Sequence, residues 1–224
     1  MTINNFILMS IGAHSQKKSD EIIEILNKEG EENRGITYYG YGNNICSPEK
    51  VIELAKQNKQ KGERTYLLLF KPPSPTDPKK DKKRIRPNQI YVDGEWIDTP
   101  EKIKEGVINC EYAITCTKFD ILDPKSLSIN KCDYYVERAT GKKEKECLGT
   151  FSKNRFDKAC ARKKDADVKY KHGYTEKAHN SNHNGKNFSD CNREERSCNE
   201  ILDISYRAEI VEPYAVKTNY KQSK

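Results

Sequence analysis

Two nearly continuous apolar runs, Phe6-Ile7-Leu8-Met9-Ser10-Ile11 and Thr65-Tyr66-Leu67-Leu68-Leu69-Phe70, constrain this chain more than any other feature. A strand with apolar side chains on both faces must be covered on both faces, as happens inside a sheet flanked by other layers. Between the two runs lie two helix signals and a further strand signal. Ser19-Asp20-Glu21 sets acidic residues against the positive end of a helix dipole, Ile22, Ile23, Ile25 and Leu26 give that helix an apolar face, and Gly30 is its expected stop. Ile36-Thr37-Tyr38-Tyr39-Gly40-Tyr41 reads as the strand. Ser47-Pro48-Glu49 opens the second helix, where Pro48 suits a first helical position whose N–H would be unpaired in any case. Val51, Ile52, Leu54 and Ala55 line that helix, and Gly62 closes it. Strand, helix, strand, helix, strand within seventy residues predicts an α/β protein built on a small parallel, Rossmann-like βαβαβ unit with right-handed crossovers.

Residues 1–70 are expected to form that unit. Lys71 to Pro87, KPPSPTDPKKDKKRIRP, breaks it with prolines and repelling cations and is expected to be an exposed loop. Residues 88–224 then read as an antiparallel extension of the same domain, with a polar insertion at about 162–199. Ile90-Tyr91-Val92-Asp93-Gly94-Glu95-Trp96-Ile97 is a hairpin signal, because Asp-Gly supplies the positive φ angles of a two-residue turn. Val107 to Thr117 alternates, with Ile108, Cys110, Tyr112, Ile114 and Cys116 on one face. Further expectations are a strand at Cys132–Arg138, a short basic helix at Phe151–Ala161, and strand structure at Ile201–Val216, limited by Pro213.

In 224 residues, 34% are hydrophobic and 33% charged, which predicts a small core inside a large polar shell. The net charge of +7 is concentrated in residues 131–224, with 21 Lys and Arg against 15 Asp and Glu. A cationic surface favours an anionic partner: a nucleotide, a nucleic acid or a nucleic-acid-binding protein. No apolar run reaches membrane-spanning length, and the first lacks the basic flank of a secretory signal. A cytoplasmic protein with no membrane partner is expected, its eight cysteines thiols or metal ligands. A secreted, disulfide-bonded protein is the alternative, and only there would Asn187-Phe188-Ser189 be a glycosylation acceptor.

Ligands of open parallel sheets bind beyond the carboxyl ends of the strands. Two turns are expected there, one carrying Gly12 and His14, the other Gly40, Gly42, Asn43, Asn44, Cys46 and Ser47. The second runs into a helix N-terminus, whose free N–H groups and dipole favour an anion. The same residues also make an ordinary turn with a Ser47 cap, since the segment matches neither the dinucleotide fingerprint nor the phosphate loop. Cys46 at that N-terminus, with His14 as base, is a candidate catalytic pair for a transferase or hydrolase; the simpler alternative is a buried thiol. Lys79, Lys80, Lys82, Lys83, Arg84 and Arg86 form a run suited to nucleic-acid phosphates, or simply a solvated one. His179, His183, Cys191 and Cys198 offer imidazole and thiolate to zinc, although no C-x2-C pair accompanies them. The leading expectation is a non-enzymatic binder of an anionic ligand such as a nucleotide. The alternatives are an inhibitor or regulator of a nucleic-acid machine, of the phage-type anti-defence kind, and a Cys/His enzyme.

Overall fold

The computed structural model describes residues 3–11, 17–41, 47–71, 85–137, 145–148, 158–164 and 201–220. The chain is a mixed α/β protein whose main sheet is mostly antiparallel. The first apolar run forms β1 (Asn5–Ser10) and the second β3 (Tyr66–Phe70), paired in parallel from Phe6 opposite Tyr66 to Ser10 opposite Phe70. Both lie inside the sheet, as their composition requires. Ile7, Met9, Leu67 and Leu69 face one core, and Phe6, Leu8, Leu68 and Phe70 face another.

The expected parallel βαβαβ unit is corrected at its middle strand. β2 (Ile36–Tyr41) joins neither β1 nor β3; it pairs antiparallel with β6 (Tyr112–Thr117). The physical reason is its pattern. Thr37, Tyr39 and Tyr41 are buried while Ile36, Tyr38 and Gly40 are only partly so, and such alternation suits a strand with one committed face. Of the three strands in the expected unit, only the two with continuous apolar runs form a parallel pair.

Two helices connect them, α1 (Ser19–Glu32) and α2 (Pro48–Gln60), and both pack on the same face. Ile23 and Leu26 of α1 and Val51, Leu54 and Ala55 of α2 are buried there against β1, β2, β3 and β6. Gly30 does not stop α1. It is buried within the last turn, where a Cβ would crowd Thr37 Oγ1, and the helix ends instead through Arg34 and Gly35, both at positive φ. Gly62, at φ 71°, does follow the end of α2. Asn58 ties that end to both parallel strands: its Oδ1 accepts from Asn5 Nδ2 at 2.9 Å, and its Nδ2 donates to Thr65 Oγ1 at 2.8 Å.

The antiparallel extension is present. β4 (Gln89–Val92) and β5 (Glu95–Asp98) form the expected hairpin, with Asp93 and Gly94 at positive φ. The alternating stretch from Val107 is shorter than expected, because α3 (Lys104–Val107) occupies its start; β6 then buries Ala113, Ile114, Thr115 and Cys116 on both faces. After β6 come β7 (Asp120–Ile121), β8 (Ser128–Asn130), β9 (Tyr134–Glu137) and β10 (Lys145–Cys147). The described part of the predicted basic helix is instead β11 (Lys158–Lys163), which lies between β1 and β9 and places the buried Ala161 in the second core. β12 (Ile201–Asp203) pairs with β8 and covers that core with Ile129 and Leu202.

The final strand, β13 (Tyr206–Thr218), joins the two halves. Its first residues pair with β3 on one side and β7 on the other; its last pair with β4 and β6. Between Ile210 and Ala215 the register with β6 shifts, across Pro213 and a Tyr214 at φ 67°. Val216 beyond the shift builds a third core with Ile90, Ile103, Val107 and Ala113.

β2 and α3 meet through two glycines. A Cβ on Gly40 would overlap the Gly106 carbonyl oxygen and Cys110 Sγ, and one on Gly106 would overlap the Tyr38 carbonyl. The Glu29 carboxylate fixes the start of α3 by accepting from Glu105 N at 2.8 Å and Gly106 N at 3.1 Å. Gly40→Ala is therefore expected to destabilise the fold by about 1–3 kcal/mol, the usual cost of overpacking a closed contact. Urea unfolding measures it, and an unchanged midpoint would refute the contact.

Candidate functional site

Because β1 and β3 are parallel neighbours, the chain leaves the sheet at their carboxyl ends side by side. Ser10 stands opposite Phe70, and Ile11 N donates to Phe70 O at 3.1 Å. The segment after β1 carries Gly12 and His14, and the segment after β3 begins at Lys71 and carries the basic run. At this edge Asp20, in the first turn of α1, accepts from Tyr206 Oη at 2.5 Å and from Lys71 Nζ at 3.1 Å through each carboxylate oxygen. The Lys71 ammonium also lies 5.5 Å from the centre of the Tyr206 ring. The Tyr206 hydrogen bond, then Lys71, holds the Asp20 carboxyl below its ordinary range, while burial first and Asp20 second push the Tyr206 phenol up. Asp20 thus answers both the helix dipole and Lys71.

The second predicted turn leads to a different anchor. Ser47 is extended at φ −63° and ψ 155°, and its carbonyl accepts from Lys50 N and Val51 N at the start of α2. Glu49 in the first turn of that helix pairs with Lys217 Nζ at 2.5 Å, near the far end of β13 from Tyr206. Lys217 holds the Glu49 carboxyl low, and Glu49 holds the Lys217 ammonium high. One side chain links β2 to the carboxyl end of β1: the buried Tyr39, whose Oη donates to Ser10 O at 3.2 Å. Strand pairing does not set the two turns side by side.

Of the predicted ligand-binding residues, Gly40 and Ser47 are therefore located, and the packing of α3 accounts for Gly40. Gly12, His14, Gly42, Asn43, Asn44 and Cys46 lie outside the described residues, as do Lys79, Lys80, Lys82, Lys83 and Arg84. Arg86 is described, and its guanidinium is engaged: it pairs with Glu101 and donates to the Thr99 carbonyl at 2.8 Å. His179, His183, Cys191 and Cys198 lie outside the described residues as well. Among the described residues, no group of three or more His, Cys, Asp or Glu is arranged to hold a metal ion.

Sequence does not single out Asp20, Lys71 and Tyr206: Asp20 reads only as a dipole partner, Lys71 as the first residue of the loop, and Tyr206 falls within the strand structure expected at Ile201–Val216. Their connection depends on β13 lying beside β3, which local patterning does not encode. A cavity of about 530 Å3 opens elsewhere along α1, lined by Lys28, Glu29, Glu32, Glu101, Lys102 and Glu105, and none of the predicted residues line it. Its walls carry charges of both signs. No helix among the described residues is long and apolar enough to cross a membrane. Comparison with protein-family models, curated proteins and solved structures found no match for this chain.

Asp20 sets a pH dependence with a definite sign. Its folded pKa is depressed below the ordinary 3.8, so its contribution to stability is present above that value and is lost as pH falls through the folded one. Tyr206→Phe removes the larger cause. The Asp20 carboxyl should then titrate closer to 3.8, and the stability difference between variant and parent should shrink in acid. Carboxyl-detected NMR titration checks this, and an unmoved Asp20 in the variant would show that the hydrogen bond is not the cause.

Proposed function

We propose that this chain is a non-enzymatic binding protein for an anionic ligand, a nucleotide or nucleotide-like signal, taken up at the carboxyl edge of the β1–β3 pair. The supporting observation is the parallel register that ends with Ser10 opposite Phe70. The segments that follow parallel neighbours start from one edge, and in sequence one of these carries a glycine and a histidine and the other a run of cations. Gly12 allows close backbone approach to a ligand, and His14 offers a ring N–H.

A second reading is favoured by the charge of that segment. With Arg86 engaged by Glu101 and Thr99, the five cations Lys79, Lys80, Lys82, Lys83 and Arg84 form a basic run fit to contact a nucleic acid or the acidic face of a nucleic-acid-binding protein. The enzyme alternative needs Cys46 beside His14, although the helices that follow those residues are anchored near opposite ends of β13. Zinc on His179, His183, Cys191 and Cys198 would be a structural clip in the polar insertion, and metal analysis of protein purified without chelator tests it.

A panel of mono-, di- and cyclic nucleotides should raise the melting temperature in a concentration-dependent way at modest salt. Gly12→Val and His14→Ala should abolish the shift, whereas Ser47→Ala should leave it in place. A shift insensitive to both Gly12→Val and His14→Ala would remove this edge from consideration, and no shift with any nucleotide would overturn the reading.

A further inference from the structure

Five side chains stand in one line across five strands at the other end of β13. Trp96 of β5 is directly opposite Tyr91 of β4, Tyr91 opposite Lys217 of β13, Lys217 opposite Tyr112 of β6, and Tyr112 opposite Tyr41 of β2. Directly opposed residues of antiparallel strands project from the same face, so the row is continuous: Trp, Tyr, Lys, Tyr, Tyr. At about 4.8 Å between strands it is roughly 19 Å long. The rings at each end touch, Tyr91 with Trp96 at 5.2 Å and Tyr41 with Tyr112 at 5.6 Å between centres.

The row is graded in exposure. Tyr41 is buried in the core shared with the helices, Tyr112 is half-buried, and the outer members open to solvent: Tyr91 is 37% exposed, Trp96 48%, and the Lys217 side chain 44%. A Tyr–Trp pair alone is an ordinary means of holding a hairpin together. Two further observations need more than that. The pair aligns with a lysine and two further rings on strands the hairpin does not contain, and Trp96 remains half open although it is the chain's one tryptophan.

We propose that this row is a binding platform for single-stranded nucleic acid, with bases stacked on Trp96 and Tyr91 and the adjoining phosphate near Lys217. Aromatic faces accept any base, and a lysine one strand away supplies a positive charge beside them. Two carboxylates adjoin the row, Glu49, which pairs with Lys217, and the exposed Asp98, which projects from the same face two residues beyond Trp96. A phosphate would compete with Glu49 for Lys217, and nucleic acid is favoured over a basic peptide by the two adjoining solvent-open rings, which suit successive bases. The platform is independent of the nucleotide edge proposed above, which lies at the Tyr206 end of β13.

Because Trp96 is the sole tryptophan, its fluorescence reports occupancy directly. Titration of the full chain with an oligothymidylate or oligouridylate of about ten residues at low salt should quench it saturably, and the affinity should fall as salt rises. Tyr91→Ala should weaken binding by roughly 5- to 150-fold, the range of one lost base–aromatic stack. Lys217→Gln should reduce the salt slope by about one phosphate contact, near 0.7 for a single strand. Trp96→Phe, followed by fluorescence polarisation of a labelled oligonucleotide, should retain most of the affinity and guards against a folding defect. His14→Ala should leave the quenching unchanged, which separates this platform from the nucleotide edge. Absence of quenching, equal affinity for duplex DNA, quenching by a lysine-rich peptide but by no oligonucleotide, or insensitivity to Tyr91→Ala would each overturn the proposal.

Discussion

The fold depends on β13, whose two ends are each paired on both edges. One strand carries β3 and β4 in succession on one side and β7 and β6 on the other. The register with β6 shifts between Ile210 and Ala215, and ladder pairing resumes beyond the shift with β6 and β4. Ala208 and Ile210 before the shift, and Ala215 after it, face the helices; Val216 faces the third core. At the bend, Glu212 accepts from Tyr214 Oη at 2.9 Å and pairs with Lys59 at the end of α2 at 2.8 Å. That ion pair is exposed and contributes little by itself. Its value is positional, because it holds α2 along the second half of β13.

How much of this was legible in sequence depended on whether the signal was local. The two continuous apolar runs, the hairpin at Asp93-Gly94, both helices with their apolar faces, and the Pro48 start of α2 are all set by neighbours a few residues apart, and all were readable. The partner of β2 was not. Its alternation of buried and partly exposed residues was present, but it was outweighed by the rhythm of strands and helices around it. Two continuous strands and one alternating strand do not make three equivalent members of a parallel sheet, and weighing the three separately would have pointed elsewhere. β11 was misread because Lys158-Ala159-Cys160-Ala161-Arg162-Lys163 combines small and basic residues that also suit a helix, while its place beside β1 comes only from long-range pairing.

The candidate site divided along the same line. β1 does end at the carboxyl edge of a parallel pair, while the residues of the first predicted turn lie outside the described ones. The second depended on β2 being parallel, so its association with the first lost its topological basis. Asp20, Lys71 and Tyr206 could not be grouped from sequence, since they lie in three segments brought together by the β3–β13 pairing and the packing of α1 on the sheet. The aromatic row has the same origin. Tyr41, Tyr91, Trp96, Tyr112 and Lys217 have no common spacing, and registers across five strands are needed to see them as neighbours.

The stretch from Thr37 to Tyr41 shows what replaces the lost premise. Thr37 Oγ1 donates to the Leu26 carbonyl at 2.5 Å, Tyr39 Oη to the Ser10 carbonyl, Gly40 admits α3, and Tyr41 ends the aromatic row. Gly40, the one residue of this stretch read as part of a ligand turn, is occupied in admitting α3. Burial pushes the Tyr39 phenol upward and Tyr38 in the same direction, as expected of rings serving as struts in a low-dielectric core. A strand committed in this way makes a rigid support. What it supports is the start of α2 and the buried end of the row, so the chemistry open to solvent moves outward along the row, to Lys217, Tyr91 and Trp96.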